Sequence, residues 1–336
     1  MKKTNIRSKS GNRKRFLKYL AIALSIIFVI SGALLLLEMW ETRQGLFPAG
    51  EIIEEDTLKY NGQEYVLKEN IETFLVIGLD KFEGTSSGDS YNNDKQADFL
   101  MLLVFDNNTK KTTAIHINRD TMAKVNILGV AGNKVDTVVK QIALAHTYGN
   151  GRDVSCRNTA DAISEHLLGI KVNHYASLTM DAVSIFNDSV GGVEIRVLDD
   201  FTGIDDTLVK GEKVNLMGEH VLNYVRTRYG LEDSTNSTRM KRQQQYLCAL
   251  YEKTQLCMNE DDRFLVDVSI KMSDYIVSDR SVTQLQELGK KMNSYEFTGI
   301  LNIEGESVVG EKFMEFYANE DSLKKIVIDL FYKLKD

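Results

Sequence analysis

Acidic and basic side chains stand at the ends of predicted β-strands in the first third of the chain. Asp80 closes one apolar run, Asp98 opens the next, and Arg119 and Asp120 directly follow a third. In open α/β sheets, ligands collect at the strand ends. Two neighbouring carboxylates suit a hard cation, which takes oxygen ligands and brings phosphate with it. We therefore predict a Mg²⁺ (or Mn²⁺) site at Asp80 and Asp98; the alternative is that such acids only cap turns or helices.

A second group of polar side chains lies between residues 226 and 243. Arg226 and Arg228 are two apart, so an extended backbone points both to one side. Arg239, Arg242 and Gln243 follow helical i, i+3, i+4 spacing and share one helix face. Guanidinium groups match phosphate oxygens, so this set predicts a pyrophosphate-binding site. A solvated basic face is the alternative interpretation.

The distribution of charge argues against nucleic acid as a partner. Eight of the 41 basic residues lie in the first 18 positions, which leaves 33 basic residues against all 48 acids in the remainder. Such an acidic remainder offers no basic footprint for phosphate backbones. The 336 residues and 43% hydrophobic content are those of a globular chain, and three cysteines do not make a disulfide framework.

The N-terminal segment has the pattern of a membrane anchor. Residues 19–37 carry no charge, and at 1.5 Å per residue they span about 28 Å. Residues 1–18 carry eight basic side chains and no acidic one. This pattern predicts that the N-terminus lies in the cytoplasm and that most of the chain lies outside. We expect a retained single-pass helix in a cell membrane; a cleaved signal peptide would usually have a shorter apolar region.

Strands and helices alternate along the rest of the chain. Asn61-Gly62 predicts a hairpin within a juxtamembrane segment, 38–70, ahead of an extracytoplasmic domain, 71–336. The periodicity predicts strands at 72–80, 98–106, 112–118, 171–179 and 191–197, and helices at 136–149, 157–168, 181–190, 218–225, 239–258, 281–293 and 319–334. We expect an α/β domain whose central mixed sheet is covered by helices on both faces.

With these residues in place, the chain resembles the LytR–CpsA–Psr family of bacterial cell-envelope proteins over residues 70–336. The resemblance rests on the order and spacing of seven segments: FLVIGLD (74–80), ADFLMLLVFD (97–106), INRDTM (117–122), HLLGIKVNHY (166–175), SVGGVEI (189–195), LMGEHVLNYVRTR (216–228) and RMKRQQQ (239–245).

The resemblance implies a phosphotransferase that moves a glycopolymer from a polyprenyl-pyrophosphate carrier to peptidoglycan. It implies Mg²⁺ between carboxylates and phosphate, with arginines on the pyrophosphate and a long apolar pocket for the lipid tail. By motif, Asp80 and Asp98 match the metal-site carboxylates. The phosphate-binding or catalytic positions are matched by Arg119, Asp120, Arg226, Arg228, Arg239 and Gln243. Apolar residues at 137–147 and 160–168 either border the lipid pocket or belong to a closed core.

Several positions depart from the family pattern. Gln96 stands where the family commonly has arginine, Asn118 replaces a proline, and Asn236 falls where an acidic residue is frequent. Either Asp98 or Asp120 is expected to take the proton of the acceptor hydroxyl. Two alternatives to the transferase stay open: a pyrophosphate hydrolase at the same site, and a non-catalytic binder of lipid-linked glycans that regulates envelope assembly.

Overall fold

The computed structural model describes residues 57–80, 95–228, 230–231 and 236–335. The strands in chain order are β1 Thr57–Tyr60, β2 Gln63–Leu67, β3 Ile71–Leu79, β4 Phe99–Asp106, β5 Lys111–Ile117, β6 Met122–Leu128, β7 Lys134–Gln141, β8 His174–Thr179, β9 Val193–Arg196, β10 Lys213–Leu216, β11 Ile276–Ser278, β12 Glu296–Asn302, β13 Gly305–Val309, β14 Met314–Ala318 and β15 Tyr332–Leu334. The α-helices are α1 Asp153–His166, α2 Met180–Ser189, α3 Glu219–Arg226, α4 Asn236–Glu260, α5 Phe264–Lys271, α6 Val282–Ser294 and α7 Glu320–Phe331.

A six-stranded mixed sheet in the order β11-β8-β3-β4-β5-β12 organises these elements. β3 pairs parallel with β8 and β5 pairs parallel with β12, whereas β4 runs antiparallel to both β3 and β5. The end of β3, the start of β4 and the end of β5 therefore meet at one edge of the sheet. This edge carries the polar residues that the sequence singles out.

Both faces of the sheet are covered, because the central strands are apolar on both sides. Leu75, Leu102 and Ile115 pack on one face against residues of α1 and α7. On the other face, Met101 and Leu103 pack against partly buried side chains of α4 and α6. The predicted mixed sheet between helical layers is thus confirmed.

One predicted helix is wrong. Residues 134–141 form β7, which pairs antiparallel with β6, and only Ile142–Thr147 follow as a short 3₁₀ turn. Val135, Thr137, Val138 and Val139 are β-branched and favour an extended backbone over a helix. The other predicted helices and strands exist, with ends displaced by a few residues.

The predicted Asn-Gly hairpin joins β1 to β2, and both turn residues have positive φ, 50° at Asn61 and 76° at Gly62. β15 from the C-terminal end of the chain adds to β2 as a third strand. The predicted anchor, 19–37, lies outside the described residues. Within the described part of the chain, no helix combines the length and the apolar character needed to cross a membrane.

Candidate active site

The two predicted metal-binding carboxylates are brought together by the pairing of β3 with β4. Asp80 directly follows Leu79, the last residue of β3, and Asp98 directly precedes Phe99, the first residue of β4. The amide of Asp98 donates to the carbonyl of Gly78 at 2.8 Å, which extends the ladder to the edge. Both residues therefore lie at the same end of the β3–β4 pair.

Arg119 links several polar groups at this edge. Its Nη1 forms an ion pair with Oδ1 of Asp98, and its Nη2 donates to Oε1 of Gln96. Its Nε lies 3.6 Å from Oδ1 of Asp120. Gln96 thus helps to orient Arg119, which is a role that the sequence does not reveal.

Asp120 is almost fully enclosed by donors. Nε2 of Gln141 donates to its Oδ1 at 3.1 Å, and Nη2 of Arg228 lies 3.3 Å from its Oδ2. The same Gln141 amide donates to the carbonyl of Met314 at 2.6 Å, which ties Asp120 to β14. The Asp120 side chain is only 5% exposed, so it positions Arg228 rather than meeting a ligand in the open.

Arg239 enters the site from the first turns of α4. Its Nη2 donates to Oδ1 of Asn236 at 2.6 Å and to the carbonyl of Asp98 at 3.3 Å, while Nη1 lies 3.9 Å from Oδ1 of Asp98. Its buried Nε has no hydrogen-bond partner among the described residues. Burial, together with repulsion from Arg119 and Arg228, lowers the pKa of Arg239 to about 10. An anion placed here would relieve that repulsion.

Arg226 forms the most accessible pair of the site. Its Nη2 lies 2.5 Å from Oδ2 of Asp80, and the side chains of the two residues are 57% and 36% exposed. Exposed ion pairs contribute little to stability, so both partners are available to a ligand.

Arg242 and Gln243 do not join this open group, contrary to the sequence-based assignment to the pyrophosphate. Arg242 is buried, pairs with Asp199, and donates from Nε to the carbonyl of Tyr224 at 2.9 Å and from Nη2 to the carbonyl of Thr227. Nε2 of Gln243 donates to the carbonyl of Val225 at 3.1 Å. These bonds occupy carbonyls at the end of α3 that lack helical partners, and they fix the segment that carries Arg226 and Arg228.

The donor set fits a divalent cation that shares its ligands with phosphate. No group of three or more acidic, histidine or cysteine side chains suited to a metal exists among the described residues. Mg²⁺ usually takes only one or two protein carboxylates and completes its shell with water and phosphate oxygens. Asp80 and Asp98 supply that number, and each is balanced here by an arginine.

An apolar cavity of about 350 Å³ lies between the sheet and helices α4, α5 and α6. A second apolar cavity of about 230 Å³ adjoins it, because Val76, Phe99 and Leu247 line both. The second cavity reaches the site, since its lining includes Leu79 and Val225, the chain neighbours of Asp80 and Arg226. The two cavities together therefore extend from the neighbourhood of Asp80 and Arg226 into the body of the domain.

This cavity lies on the opposite face of the sheet from 137–147 and 160–168. In those segments Ile142, Ala145, Ala160 and Ile163 pack into the closed core of the other face, which agrees with the core interpretation. The sequence pattern does not mark the residues that line the cavity. The lining differs from a closed core in that apolar residues of α4 and α6 are only half buried. Burial of this kind cannot be read from composition.

Comparison with known proteins identifies the family of this chain. The profile of the LytR–CpsA–Psr family (LytR_cpsA_psr) matches residues 50–330, and the chain belongs to this family. Among curated relatives, TagU of Enterococcus faecalis, named a polyisoprenyl-teichoic acid–peptidoglycan teichoic acid transferase, is 26% identical over 69% of this chain and 70% of its own. LcpA of Corynebacterium glutamicum, a cell wall biosynthesis protein, is 28% identical over 49% of this chain and 33% of its own.

The solved structure of TagT bound to LI-WTA has the same fold. It superposes with a TM-score of 0.58 at 20% sequence identity, over 78% of this chain and 90% of TagT. The shared fold agrees with the central mixed sheet described above.

Proposed function

We propose that this protein is a membrane-anchored phosphotransferase that moves a glycopolymer from a polyprenyl-pyrophosphate carrier to peptidoglycan. One observation carries the proposal: a cluster of arginines and carboxylates lies next to an apolar cavity, whose lining includes the chain neighbours of Asp80 and Arg226. Such a site suits an amphiphile with a polyanionic head and a hydrocarbon tail. The names of relatives such as TagU, which describe transfer of teichoic acid to peptidoglycan, support the same reaction.

The pyrophosphate is held by the arginines that have exposed or incompletely bonded nitrogens. Arg226 turns from Asp80 to the phosphate, and Arg239 offers its buried Nε. Arg119, paired with Asp98, and Arg228, paired with Asp120, complete the clamp. Guanidinium groups aimed at phosphoryl oxygens stabilise the charge that spreads over them in the transition state.

A divalent cation, Mg²⁺ or Mn²⁺, would be held by Asp80 and Asp98. When bound, it supplies positive charge that neutralises the pyrophosphate and favours departure of the lipid phosphate. With the charge of Asp80 and Asp98 balanced by such a cation, Arg119 and Arg226, which pair with them here, would be available to phosphate.

The transfer step forms one phosphorus–oxygen bond and breaks another. The acceptor hydroxyl of the peptidoglycan sugar attacks the phosphorus that carries the glycan, and the bridging phosphoanhydride bond breaks. Polyprenyl phosphate leaves, and a carboxylate takes the hydroxyl proton. We assign that base to Asp98, whose side chain is 28% exposed against 5% for Asp120. A base must come within hydrogen-bond reach of the proton, and of the two carboxylates Asp98 is the more accessible.

The anchor at 19–37 completes the proposal. It would hold the domain at the outer surface of the cell membrane, where both the lipid-linked donor and peptidoglycan are found. This assignment rests on the sequence pattern alone.

The test uses the full chain in detergent with a polyprenyl-pyrophosphoryl sugar and peptidoglycan fragments. We expect release of polyprenyl phosphate that requires Mg²⁺ or Mn²⁺ and coincides with glycan attached to peptidoglycan. Arg226→Ala should abolish release, whereas Arg196→Ala, an arginine on β9 outside the site, should not. Donor consumption with water as the only acceptor would replace the transferase with a hydrolase, and tight binding without any release would favour a regulatory binder.

The uncharged Gln96 gives the binder its one specific argument. At this position the site carries an amide bonded to Arg119 in place of the positive charge common in the family. A site with one cation fewer holds pyrophosphate but stabilises its transition state less.

A further inference from the structure

The apolar cavity has a definite far end. Phe74 and Leu288 line it, and the same two side chains also line a separate polar cavity of about 220 Å³. The remaining walls of the polar cavity are charged or polar: Glu72, His174, Arg280, Gln284, Glu287 and Lys291. Phe74 and Leu288 therefore form a floor between an apolar space and a polar one.

The path from the arginines to this floor follows β3. Gly78 and Leu79 line the part near Asp80, Val76 lines the middle, and Phe74 lies at the floor. Glu72, two residues beyond the floor, belongs to the polar cavity. Asp80 lies eight positions after Glu72, which corresponds to about 26 Å of strand.

Charged groups behind the floor are paired with one another. Nζ of Lys291 forms an ion pair with Glu72, and it also lies 4.9 Å from the centre of the Phe105 ring. Arg280 donates to Nε2 of His174, whose Nδ1 donates to Oδ2 of Asp279 at 2.9 Å. A hydrocarbon chain that entered this space would separate the pairs or strip them of water, both of which are unfavourable.

We propose that the Phe74–Leu288 floor, backed by the Glu72–Lys291 ion pair, sets the longest stretch of prenyl tail that the protein encloses. This inference rests on the proposed function, because it takes the cavity to bind the tail of the lipid carrier. Each isoprene unit that fits above the floor buries more apolar surface and raises affinity. A unit that would have to pass the floor gains nothing, since it meets charges instead of apolar walls.

The experiment measures the affinity of the full chain in detergent for geranyl, farnesyl, geranylgeranyl and octaprenyl diphosphates. For the unaltered protein we expect affinity to rise at least tenfold with each early lengthening step and then to stop rising. Leu288→Ala and Lys291→Met should move that limit to longer tails and increase affinity for the longest one at least tenfold. Lys290→Met, an exposed lysine next to Lys291, should leave the limit unchanged.

Two results would overturn the inference: affinity that does not depend on tail length, or an identical limit in the unaltered protein and in both floor variants. Lys291 is only partly buried, so Lys291→Met keeps the test valid if Leu288→Ala folds poorly. Failure of the proposed function is seen separately. A protein that binds tails up to a limit but transfers no glycan refutes the transferase and leaves the floor standing.

Discussion

Asn118 and Asn236, from distant parts of the chain, are joined by a hydrogen bond in which Nδ2 of Asn236 donates to Oδ1 of Asn118 at 2.7 Å. Both are positions at which the sequence is expected to depart from the family pattern, and the structure brings them into contact. Oδ1 of Asn118 also accepts from the amide of Asp120 at 3.0 Å, and Oδ1 of Asn236 accepts from Arg239 at 2.6 Å. The asparagine pair therefore aligns Asp120 with Arg239.

This relationship predicts that Asn236→Asp is unfavourable in this chain. An aspartate retains the pair with Arg239 but cannot donate to Asn118, whose oxygen would then face a carboxylate. Leaving such a buried contact unmade typically costs about 1–3 kcal/mol. We expect a loss of that size in the free energy of unfolding, measured with denaturant.

The matched control is Asn259→Asp, an exposed asparagine on the same helix, which should change stability by less than about 0.5 kcal/mol. Equal stabilities for the two variants would show that Asn118 does not depend on the donor from Asn236.

Replacing Arg226 and replacing Arg242 should have different effects on stability, although the sequence assigns both arginines to one site. Arg242→Ala leaves Asp199 and the carbonyls of Tyr224 and Thr227 without their buried partner, so we expect a loss of about 3–5 kcal/mol in unfolding free energy. Arg226→Ala removes only an exposed pair and should change stability by less than about 1 kcal/mol.

Binding of a prenyl diphosphate gives the second half of this comparison. Arg226→Ala should weaken binding by at least about tenfold, since a charge-assisted hydrogen bond to phosphate is lost. If the Arg242→Ala protein were stable but bound the diphosphate more weakly, Arg242 would belong to the ligand-binding site after all.

Two buried histidines, His116 and His146, and the partly buried His166 predict a loss of stability in mild acid. Burial lowers the pKa of His116 to about 3 and the pKa values of His146 and His166 to about 4 each, against 6.5 in an unfolded chain. Below pH 6.5 these histidines bind protons in the unfolded chain, whereas in the folded protein they bind them only at about pH 4 or lower. Stability therefore falls as pH drops through this window, by up to about 1.4 kcal/mol per pH unit for each histidine.

Denaturant unfolding from pH 7 to pH 5 measures this slope. His166→Gln should flatten it by about one histidine's share. A slope unaffected by His166→Gln would mean that this histidine takes up its proton equally in the folded and the unfolded chain.

The order of elements was predictable because long apolar runs mark the central strands. Residues 72–80 and 98–106 are apolar on both faces, as a sheet between two helical layers requires. Residues 136–149 were misassigned because β-branched residues and an apolar 3₁₀ turn share a stretch that mimics helical spacing. Short strands such as β11 and β13 are not predicted from the sequence, because only tertiary pairing stabilises so few residues.

The site was predictable in part. Spacing correctly brought Asp80, Asp98 and Arg119 to one edge, because strand ends in a mixed sheet converge there. Spacing could not separate Arg239 from Arg242, which lie three residues apart on one helix face. Their difference arises from α3, whose last carbonyls bond to Arg242 and hold it away from the open site.

Gln96 offers the sharpest test of whether this site has lost catalytic power. Gln96→Arg would add a positive charge beside Arg119 and Asp98, at a position where the family commonly has arginine. If the active site is otherwise intact, the added cation should raise the rate of polyprenyl phosphate release by about 10²–10³, the effect typical of one electrostatic donor. Gln96→Lys supplies charge without the planar fork and should restore less, whereas Gln96→Leu removes the bond to Arg119 and should lower the rate. An unchanged rate in Gln96→Arg, with stability and lipid binding intact, would show that the amide is not what limits this protein.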